Sequence, residues 1–231
     1  MSRICVMCPT RGRPAGAIAA YESMLATSSD TDMILYVDDD EQMLYRAGLG
    51  HLNPATDHVG KSSVLKDPSD SRLRVLSGSG LGPTGSLNLI ADLYRDYEIY
   101  GLFTDDSLFL TPGWDAYLQE KLGSKIPHMV SAHHGKEYVN FHWVNRSWID
   151  AVGFYSCRKT YHYCSDTVAE IIGECAHCIT YATPEEFSVH HDEIVSQNNF
   201  RFPNDALQFF NWCLSERRDV VKRVRAAIEA A

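Results

Sequence analysis

A short apolar run that ends in two adjacent aspartates constrains this chain most. The run extends from Ile99 to Phe103, and Asp105 and Asp106 follow it before a second apolar run, Ser107 to Leu110. An apolar run of this length predicts a strand that is buried on both faces and whose carboxyl end opens at a sheet edge. Two adjacent carboxylates there repel each other and are costly to desolvate unless a cation lies between them. The pattern therefore predicts a hard divalent cation, bridging to a phosphate, at a sheet edge where ligands bind.

The first half of the chain alternates between apolar runs and helical spacing. Strands are predicted at Ile4 to Cys8, Met33 to Val37, Leu73 to Leu76 and Ile99 to Phe103. Pro14 suits the first position of a helix, and residues 46–71 lack periodicity, which predicts a surface excursion. Strands that alternate with helices predict a single α/β domain with a mainly parallel central sheet flanked by helices.

The second half of the chain continues with both element types. The predictions are helices at Trp114 to Leu122, at Ser165 to Glu174 and from Pro203 onward, with strands at Met129 to Ala132, Tyr138 to Val144 and Cys178 to Ala182. The 231 residues suit one domain with a sizeable core.

Charge and composition exclude several classes of function. The net charge of −9 argues against a broad nucleic-acid surface. No apolar run reaches the roughly 18 residues of a membrane span, and the first apolar run is too short for a secretory signal. The seven cysteines are an odd number, so reduced thiols and a cytoplasmic location are expected.

Two charged loops are predicted at the same sheet edge. The first, Pro9-Thr-Arg-Gly-Arg-Pro14, joins the first strand to the first helix. Its hydroxyl and two guanidiniums, from Thr10, Arg11 and Arg13, suit a diphosphate or a nucleobase beside a helix N-terminus. The second begins at Asp38, which can accept hydrogen bonds from a base or a ribose. The plainer interpretation of both is a solvated loop.

Three further side chains are candidates for the same cleft. Asn88 lies one turn into the helix after a glycine-rich loop and is predicted to point back toward the cleft. His190 and His191 end an alternating run, so only one of them faces a metal, and the sequence leaves open which.

The acceptor side of the cleft has its own candidates. Asp166 opens a predicted helix and is either a helix cap or a general base. The aromatic and polar residues before it either form an acceptor platform or belong to the core. These residues are Trp143, Asn145, Arg146 and Trp148.

Cysteines offer a competing metal site. Cys175 and Cys178 have the C-x-x-C spacing of a zinc knuckle, and Cys157 and Cys164 lie within reach in sequence. A second C-x-x-C pair is absent, and buried free cysteines more often act as small apolar residues. A non-catalytic module held by zinc therefore stays as an alternative.

In chain order, these residues resemble the GT-A fold of nucleotide-sugar glycosyltransferases, closest to family 2-like members, over residues 3–191. The resemblance implies a nucleotide-sugar-binding half (1–112), an acceptor-facing half (113–202) and a helical segment (203–231). It also implies that the loop after the first strand contacts the nucleotide and that the acid after the second strand contacts the base. The helix after the third strand would contribute an asparagine to the same site. The residues concerned are Pro9, Thr10, Arg11, Arg13, Asp38 and Asn88.

The same resemblance implies a metal site and a catalytic base. Asp106 would ligate Mn²⁺ or Mg²⁺ through the diphosphate, with His190 or His191 completing the shell. Thr104 stands where the first acid of the family's Asp-x-Asp motif lies, which leaves the role of Asp105 open. Asp166 matches the position of the family's base.

The implied function is metal-dependent transfer of a sugar from a nucleoside diphosphate donor, most simply a UDP-sugar, to an acceptor hydroxyl. The acceptor is open between a glycan, a lipid, a protein and a hydroxymethylated DNA base, as in some phage glycosyltransferases. A sugar-nucleotide nucleotidyltransferase is a second alternative, although its usual glycine-rich, lysine-containing opening loop is absent.

Overall fold

The computed structural model describes residues 4–49, 55–58, 72–136, 139–161, 164–191 and 203–231, with the backbone alone at 55–58 and at 203. Its strands are β1 (Ile4–Thr10), β2 (Thr31–Asp38), β3 (Ala55–His58), β4 (Leu73–Gly78), β5 (Ile99–Leu102), β6 (Ser107–Phe109), β7 (Met129–Ser131), β8 (His142–Asn145), β9 (Ile179–Tyr181) and β10 (Val189–His191). Its helices are α1 (Pro14–Thr27), α2 (Gln42–Leu49), α3 (Gly82–Leu93), α4 (Trp114–Leu122), α5 (Arg146–Val152), α6 (Ser165–Ala176), α7 (Pro203–Ser215) and α8 (Arg217–Glu229), with a 3-10 turn at Asp39–Glu41.

Eight of these strands form one central sheet in the order β3-β4-β2-β1-β5-β8-β7-β9. Only β8 runs antiparallel to its neighbours, β5 and β7, and the other pairings in the sheet are parallel. A separate antiparallel pair joins β6 to β10. The predicted α/β architecture with a mainly parallel sheet is confirmed. The carboxyl ends of β1, β2, β4 and β5 consequently meet at one edge.

The central strands are apolar throughout because helices cover both faces of the sheet. In β1, Ile4, Val6 and Cys8 pack on one side with α1 and α4. Cys5 and Met7 pack on the other side with α3, α5 and α8. Burial on both faces explains why the sequence shows apolar runs here rather than alternation.

An aromatic cluster anchors the loop between β5 and β6. Phe103 and Phe109 flank that loop, and their rings stack at a centroid distance of 3.9 Å. Phe109 stacks in turn on Trp114 at 4.5 Å, and Trp143 and Phe187 complete the cluster. The loop that carries the two aspartates is therefore held at both ends by buried rings.

Two sequence predictions about this architecture are wrong. The proposed surface excursion at 46–71 contains the end of α2 and the strand β3, which pairs with β4, while 50–54 and 59–71 lie outside the described residues. The strand predicted from Tyr138 begins only at His142.

Of the two alternatives for the residues before Asp166, an acceptor platform or the core, the structure favours the core. Trp143 and Trp148 are 0% and 1% exposed. Asn145 caps α5 by accepting a hydrogen bond from the Trp148 N–H at 2.9 Å. The Arg146 guanidinium lies 4.3 Å from the centre of the Tyr100 ring. These side chains belong to the core around β8.

None of the helices in the described ranges is long and apolar enough to cross a membrane.

Burial of His142 makes the stability of the protein dependent on pH. Its ring stacks on Tyr155 at 4.8 Å, and neither ring nitrogen has a hydrogen-bond partner among the described residues. Burial lowers the pKa of His142 from 6.5 to about 4. The unfolded chain therefore takes up this proton first, so stability is full above pH 6.5 and falls as the pH drops from 6.5 to 4. The expected loss is about 3 kcal/mol.

Urea unfolding at a series of pH values measures this loss. The His142→Phe variant keeps a stacking ring but has no proton to bind, so its stability should change less over the same window. An equal pH dependence in both proteins would contradict the assignment to His142.

Candidate active site

A cleft opens at the carboxyl edge of the sheet. Its volume is about 620 Å³, and it is lined by residues 12–16 on one side and by Asp105 and Asp106 on the other. The two sides are adjacent because β1 and β5 are parallel neighbours. A volume of this size is typical of small-molecule sites.

The first turn of α1 forms one wall of the cleft. Pro14 is at the helix start, no side chain caps the helix, and no acidic residue lies in its first turn. The helix N-terminus therefore keeps its partial positive charge for an anion. At Gly16, α1 lies directly against the loop after β5. There is no space for a side chain at this position, because a Cβ there would lie 2.1 Å from the carbonyl oxygen of Asp105.

The Asp105 side chain is buried, and a residue at the end of β1 holds it in place. The Thr10 hydroxyl donates to its Oδ2 at 2.5 Å, and Arg13 Nη2 lies 3.2 Å from its Oδ1. The Tyr45 hydroxyl lies 2.5 Å from Thr10 Oγ1 and accepts from the Arg13 N–H at 3.2 Å. Burial raises the pKa of Asp105 despite these partners. Asp105 thus ties the loop after β5 to the loop after β1.

Asp106 is the more exposed of the two aspartates and contacts two basic side chains. Arg13 Nη1 donates to its Oδ2 at 3.0 Å, and His191 Nε2 lies 3.4 Å from its Oδ1. Burial acts to raise its pKa, but interactions with His191, Thr104 and Arg13 outweigh burial and hold that pKa well below the usual range. Oδ1 is buried and, apart from this 3.4 Å contact with His191, has no hydrogen-bond partner within the described ranges. This oxygen is an acceptor with unused capacity beside the cleft.

A second cluster joins the loop after β1 to the acidic run after β2. Arg11 pairs with Asp38 and, at 2.9 Å, with Asp40. The Gly12 N–H donates to Glu41 Oε2 at 2.7 Å. The carboxylate predicted to contact a base is therefore balanced by an arginine of the neighbouring loop.

No known protein family matches the sequence, and neither does any curated protein. Among solved structures, the chain is similar to the mannosyltransferase PcManGT from Pyrobaculum calidifontis in complex with GDP-Man and Mn²⁺, with a TM-score of 0.59 and 12% identity over 99% of this chain and 74% of that one. It is also similar to TarS 1-349 from S. aureus, with a TM-score of 0.58 and 10% identity over 99% of this chain and 71% of that one. The chain has the GT-A fold.

On this GT-A fold, most of the predicted site residues come together. Thr10, Arg13, Asp105, Asp106 and His191 form one connected set, and Arg11 with Asp38 forms the second. The neighbouring residues complete the frame. Pro9 lies in β1 beside Tyr36 of β2, Thr104 Oγ1 lies 2.6 Å from Ser107 Oγ, and His190 is exposed on the face of β10 opposite His191.

The prediction that Asn88 points toward the cleft is wrong. Its side-chain NH₂ donates to the carbonyls of Thr84 and Ser156 at 2.9 and 2.7 Å. Its oxygen accepts from the N–H groups of Tyr155 and Ser156 at 3.0 and 3.2 Å. The bond to Thr84 lies within α3, and the other three hold the chain after α5 against α3.

Asp166 lies in the first turn of α6. Its Oδ1 accepts a hydrogen bond from the Thr167 N–H at 2.7 Å, and burial raises its pKa. These contacts are local to the helix start, so its role as a general base stays a prediction.

The residues of the GT-A site fit a divalent ion only with help from a ligand. In the part of the chain that the structure describes, no three His, Cys, Asp or Glu side chains form a metal centre by themselves. Asp106 Oδ1 and His191 Nε2 are two adjacent donors, and the oxygen is otherwise unbonded. Mg²⁺ in enzymes is commonly held by one or two carboxylates together with substrate phosphates and water. A two-donor site beside a helix N-terminus suits that mode of binding.

The cysteines give no comparable arrangement. All seven are free, and Cys157 and Cys178 pack in the same hydrophobic cluster. Cys175 is exposed at the end of α6. Within the described ranges, no observation favours the zinc-held alternative.

Sequence reasoning missed two residues of this site, Tyr45 and Gly16. A glycine inside a helical pattern was an available signal, because it costs helix stability and often marks a close approach. Tyr45 had no such signal, because its contact with Thr10 spans 35 residues and depends on how α2 packs on the sheet.

Proposed function

We propose that this protein is a metal-dependent glycosyltransferase that moves a sugar from a nucleoside diphosphate donor, such as a UDP-sugar, to an acceptor hydroxyl. The observation that carries the proposal is the pair Asp106 and His191, whose facing donor atoms lie beside Arg13 and the N-terminus of α1 on a GT-A fold. The similar structure from P. calidifontis holds GDP-Man and Mn²⁺, which supports a divalent ion and a nucleotide-sugar donor here.

We assign two roles to the residues of the cleft: some would bind the donor, and others would stabilise the charge that develops on it. Arg13 and the helix N-terminus would bind the diphosphate, and Arg11 with Asp38 would contact the base and ribose. Asp106 and His191 would hold Mn²⁺ or Mg²⁺, which when bound neutralises charge on the departing diphosphate. Asp105, buried under Thr10 and Tyr45, would keep Arg13 and Asp106 in position.

Asp166 is our proposed general base. A carboxylate whose pKa is raised by burial is a better base near neutral pH than an ordinary aspartate. It would accept the proton of the acceptor hydroxyl as that oxygen attacks the sugar.

Thermal unfolding with UDP and MnCl₂ tests the proposal. Ligand that binds only the folded state stabilises it by about 2.7 kcal/mol at 100 times its Kd, which should raise the Tm. Asp106→Ala should abolish this shift because it removes the oxygen that faces His191. Asp150→Ala, which changes an exposed aspartate of α5, should keep it.

A panel of nucleoside diphosphates extends the test to other donors. The absence of a shift with every member of the panel, with or without metal, would overturn the proposal. Asp166→Asn should keep the shift while losing transfer. Release of pyrophosphate from a nucleoside triphosphate and a sugar phosphate would instead favour nucleotidyl transfer.

A further inference from the structure

An exposed apolar stripe runs along α7. Leu207, Phe210 and Leu214 are 56%, 59% and 74% exposed. Their spacing of three and four residues places them on one face of the helix. Trp212 is fully buried on the opposite side. The helix therefore packs through one face and presents a second apolar face outward.

Basic side chains follow this stripe directly. Helix α7 ends with the hydrogen bond from the Glu216 N–H to the Trp212 carbonyl, and α8 begins with the one from the Val220 N–H to the Glu216 carbonyl, so Glu216 alone separates the two helices. Arg217 and Arg218 thus come three and four residues after Leu214, at the start of α8. Helix α8 has five basic and two acidic residues in a chain whose net charge is −9. Positive charge is therefore concentrated where the apolar stripe ends.

Part of this basic charge has a structural use. Arg223 donates to the carbonyls of Ala151 and Val152, and Arg225 donates to the carbonyl of Cys175. The exposed remainder is Arg217, Arg218 and Lys222. These three side chains lie in the first two turns of α8, directly after the apolar stripe of α7 in the chain.

We propose that α7 and the first two turns of α8 dock on an anionic lipid bilayer, with Leu207, Phe210 and Leu214 entering the headgroup region and Arg217, Arg218 and Lys222 binding lipid phosphates. Interfacial helices combine apolar side chains with basic residues in this way. A stable protein interface needs about 20–30 residues on each side, which three side chains do not approach. Nucleic acid would use the basic residues and could stack a base on Phe210, but it would leave Leu207 and Leu214 without a partner.

Contacts at the start of α7 connect this helix to the start of α3. Asp205 accepts a hydrogen bond from the Tyr161 N–H at 3.0 Å, and the Tyr161 carbonyl accepts from the Thr84 N–H at 3.3 Å. Thr84 is in the first turn of α3, which begins at the sheet edge that carries the candidate site. Docking would consequently hold that edge close to the membrane. The docking itself does not depend on the proposed transferase activity.

Sedimentation with vesicles tests the proposal directly. The full chain should co-sediment with vesicles of phosphatidylcholine and phosphatidylglycerol, bind less to phosphatidylcholine alone, and release as salt is raised. Replacing Arg217, Arg218 and Lys222 together by Gln should weaken binding on the order of 100-fold. Replacing Leu207, Phe210 and Leu214 together by Gln should weaken it at least about tenfold.

Matched variants at other exposed positions are the controls. Leu93→Gln, at a side chain 53% exposed at the end of α3, and Lys125→Gln should bind as the unchanged protein does. Unaltered Tm values for all variants will show that they fold. Absence of binding to anionic vesicles, or binding that both triple variants retain, would overturn the proposal. It would also fail if the apolar variant abolished a concentration-dependent dimer in place of vesicle binding.

Discussion

Under the proposed function, Gly16→Ala is expected to reduce metal-dependent hydrolysis of a sugar-nucleotide donor, the reaction in which water replaces the acceptor, about 100-fold, because a displacement near 1 Å at a reacting centre has an effect of that order. The added Cβ would lie 2.1 Å from the Asp105 carbonyl oxygen and 3.3 Å from its carbonyl carbon. Backbone atoms cannot rotate away as a side chain can, so α1 and the loop after β5 must separate. Arg13 would then lose its position relative to Asp105 and Asp106.

The same substitution should lower the free energy of unfolding. Overpacking of this kind costs about 1–3 kcal/mol, against about 1 kcal/mol gained from the helix propensity of alanine. Steady-state hydrolysis and urea unfolding measure the two effects.

Gly173→Ala is the matched control for a helical glycine. Its Cβ would lie 3.0 Å from the Cβ of Ile179 in β9, a tight contact with a side chain. Hydrolysis should therefore be unchanged in this variant. If Gly16→Ala left both hydrolysis and stability intact, the contact between α1 and Asp105 would not be as tight as the structure shows.

Trp143→Ala should lower the free energy of unfolding by about 3–5 kcal/mol, the cost of removing a large buried aromatic ring. Trp143 is fully buried, and its ring lies 5.0 Å from that of Trp114 and 5.4 Å from that of Phe187. Trp143→Phe should lose less, because it keeps a ring and removes an indole N–H that has no partner among the described residues. Chemical denaturation at constant pH measures both.

A double-mutant cycle with Gly101 identifies the packing that makes Trp143 necessary. A Cβ on Gly101 would lie 2.1 Å from the indole of Trp143. Gly101→Ala alone should therefore destabilise the protein by about 1–3 kcal/mol, and it should cost less in the Trp143→Ala background. A coupling energy of about 0.5–3 kcal/mol is expected for residues in such contact. Simple additivity would contradict the contact.

The sequence predicted helices and strands best where the apolar residues followed a single clear pattern, either helical spacing or an unbroken apolar run. The helix at Trp114–Leu122 has the predicted bounds, and each of the four strands predicted in the first half is a strand of the central sheet. The short strand β3 was missed, because its sequence has neither an apolar run nor clear alternation. Trp143 and Trp148 were ambiguous for a different reason, since composition alone does not tell a core tryptophan from an exposed one.

Within the site, alternation predicted that one of two histidines shares a face with Phe187 and Val189. Which one meets Asp106 depends on the register of β10 against β6, where His191 pairs with Ser107, the residue after Asp106. A shift of one residue would turn His190 toward the cleft instead. For Asn88 the sequence predicted the wrong direction. Its side-chain amide hydrogen-bonds to the backbone of Tyr155 and Ser156, which are far away in sequence.

The chain itself specifies a parallel α/β sheet and puts arginines and aspartates at the ends of consecutive strands, because apolar runs and the residues that end them are local properties. The different environments of Asp105 and Asp106 come from tertiary packing. Asp105 is buried and accepts a hydrogen bond from Thr10, which Tyr45 contacts in turn, whereas Asp106 directs a buried oxygen toward His191. Neighbouring carboxylates of the same type differ in this way only through contacts with residues far away in sequence, and those contacts exist only once the strands and helices have assembled.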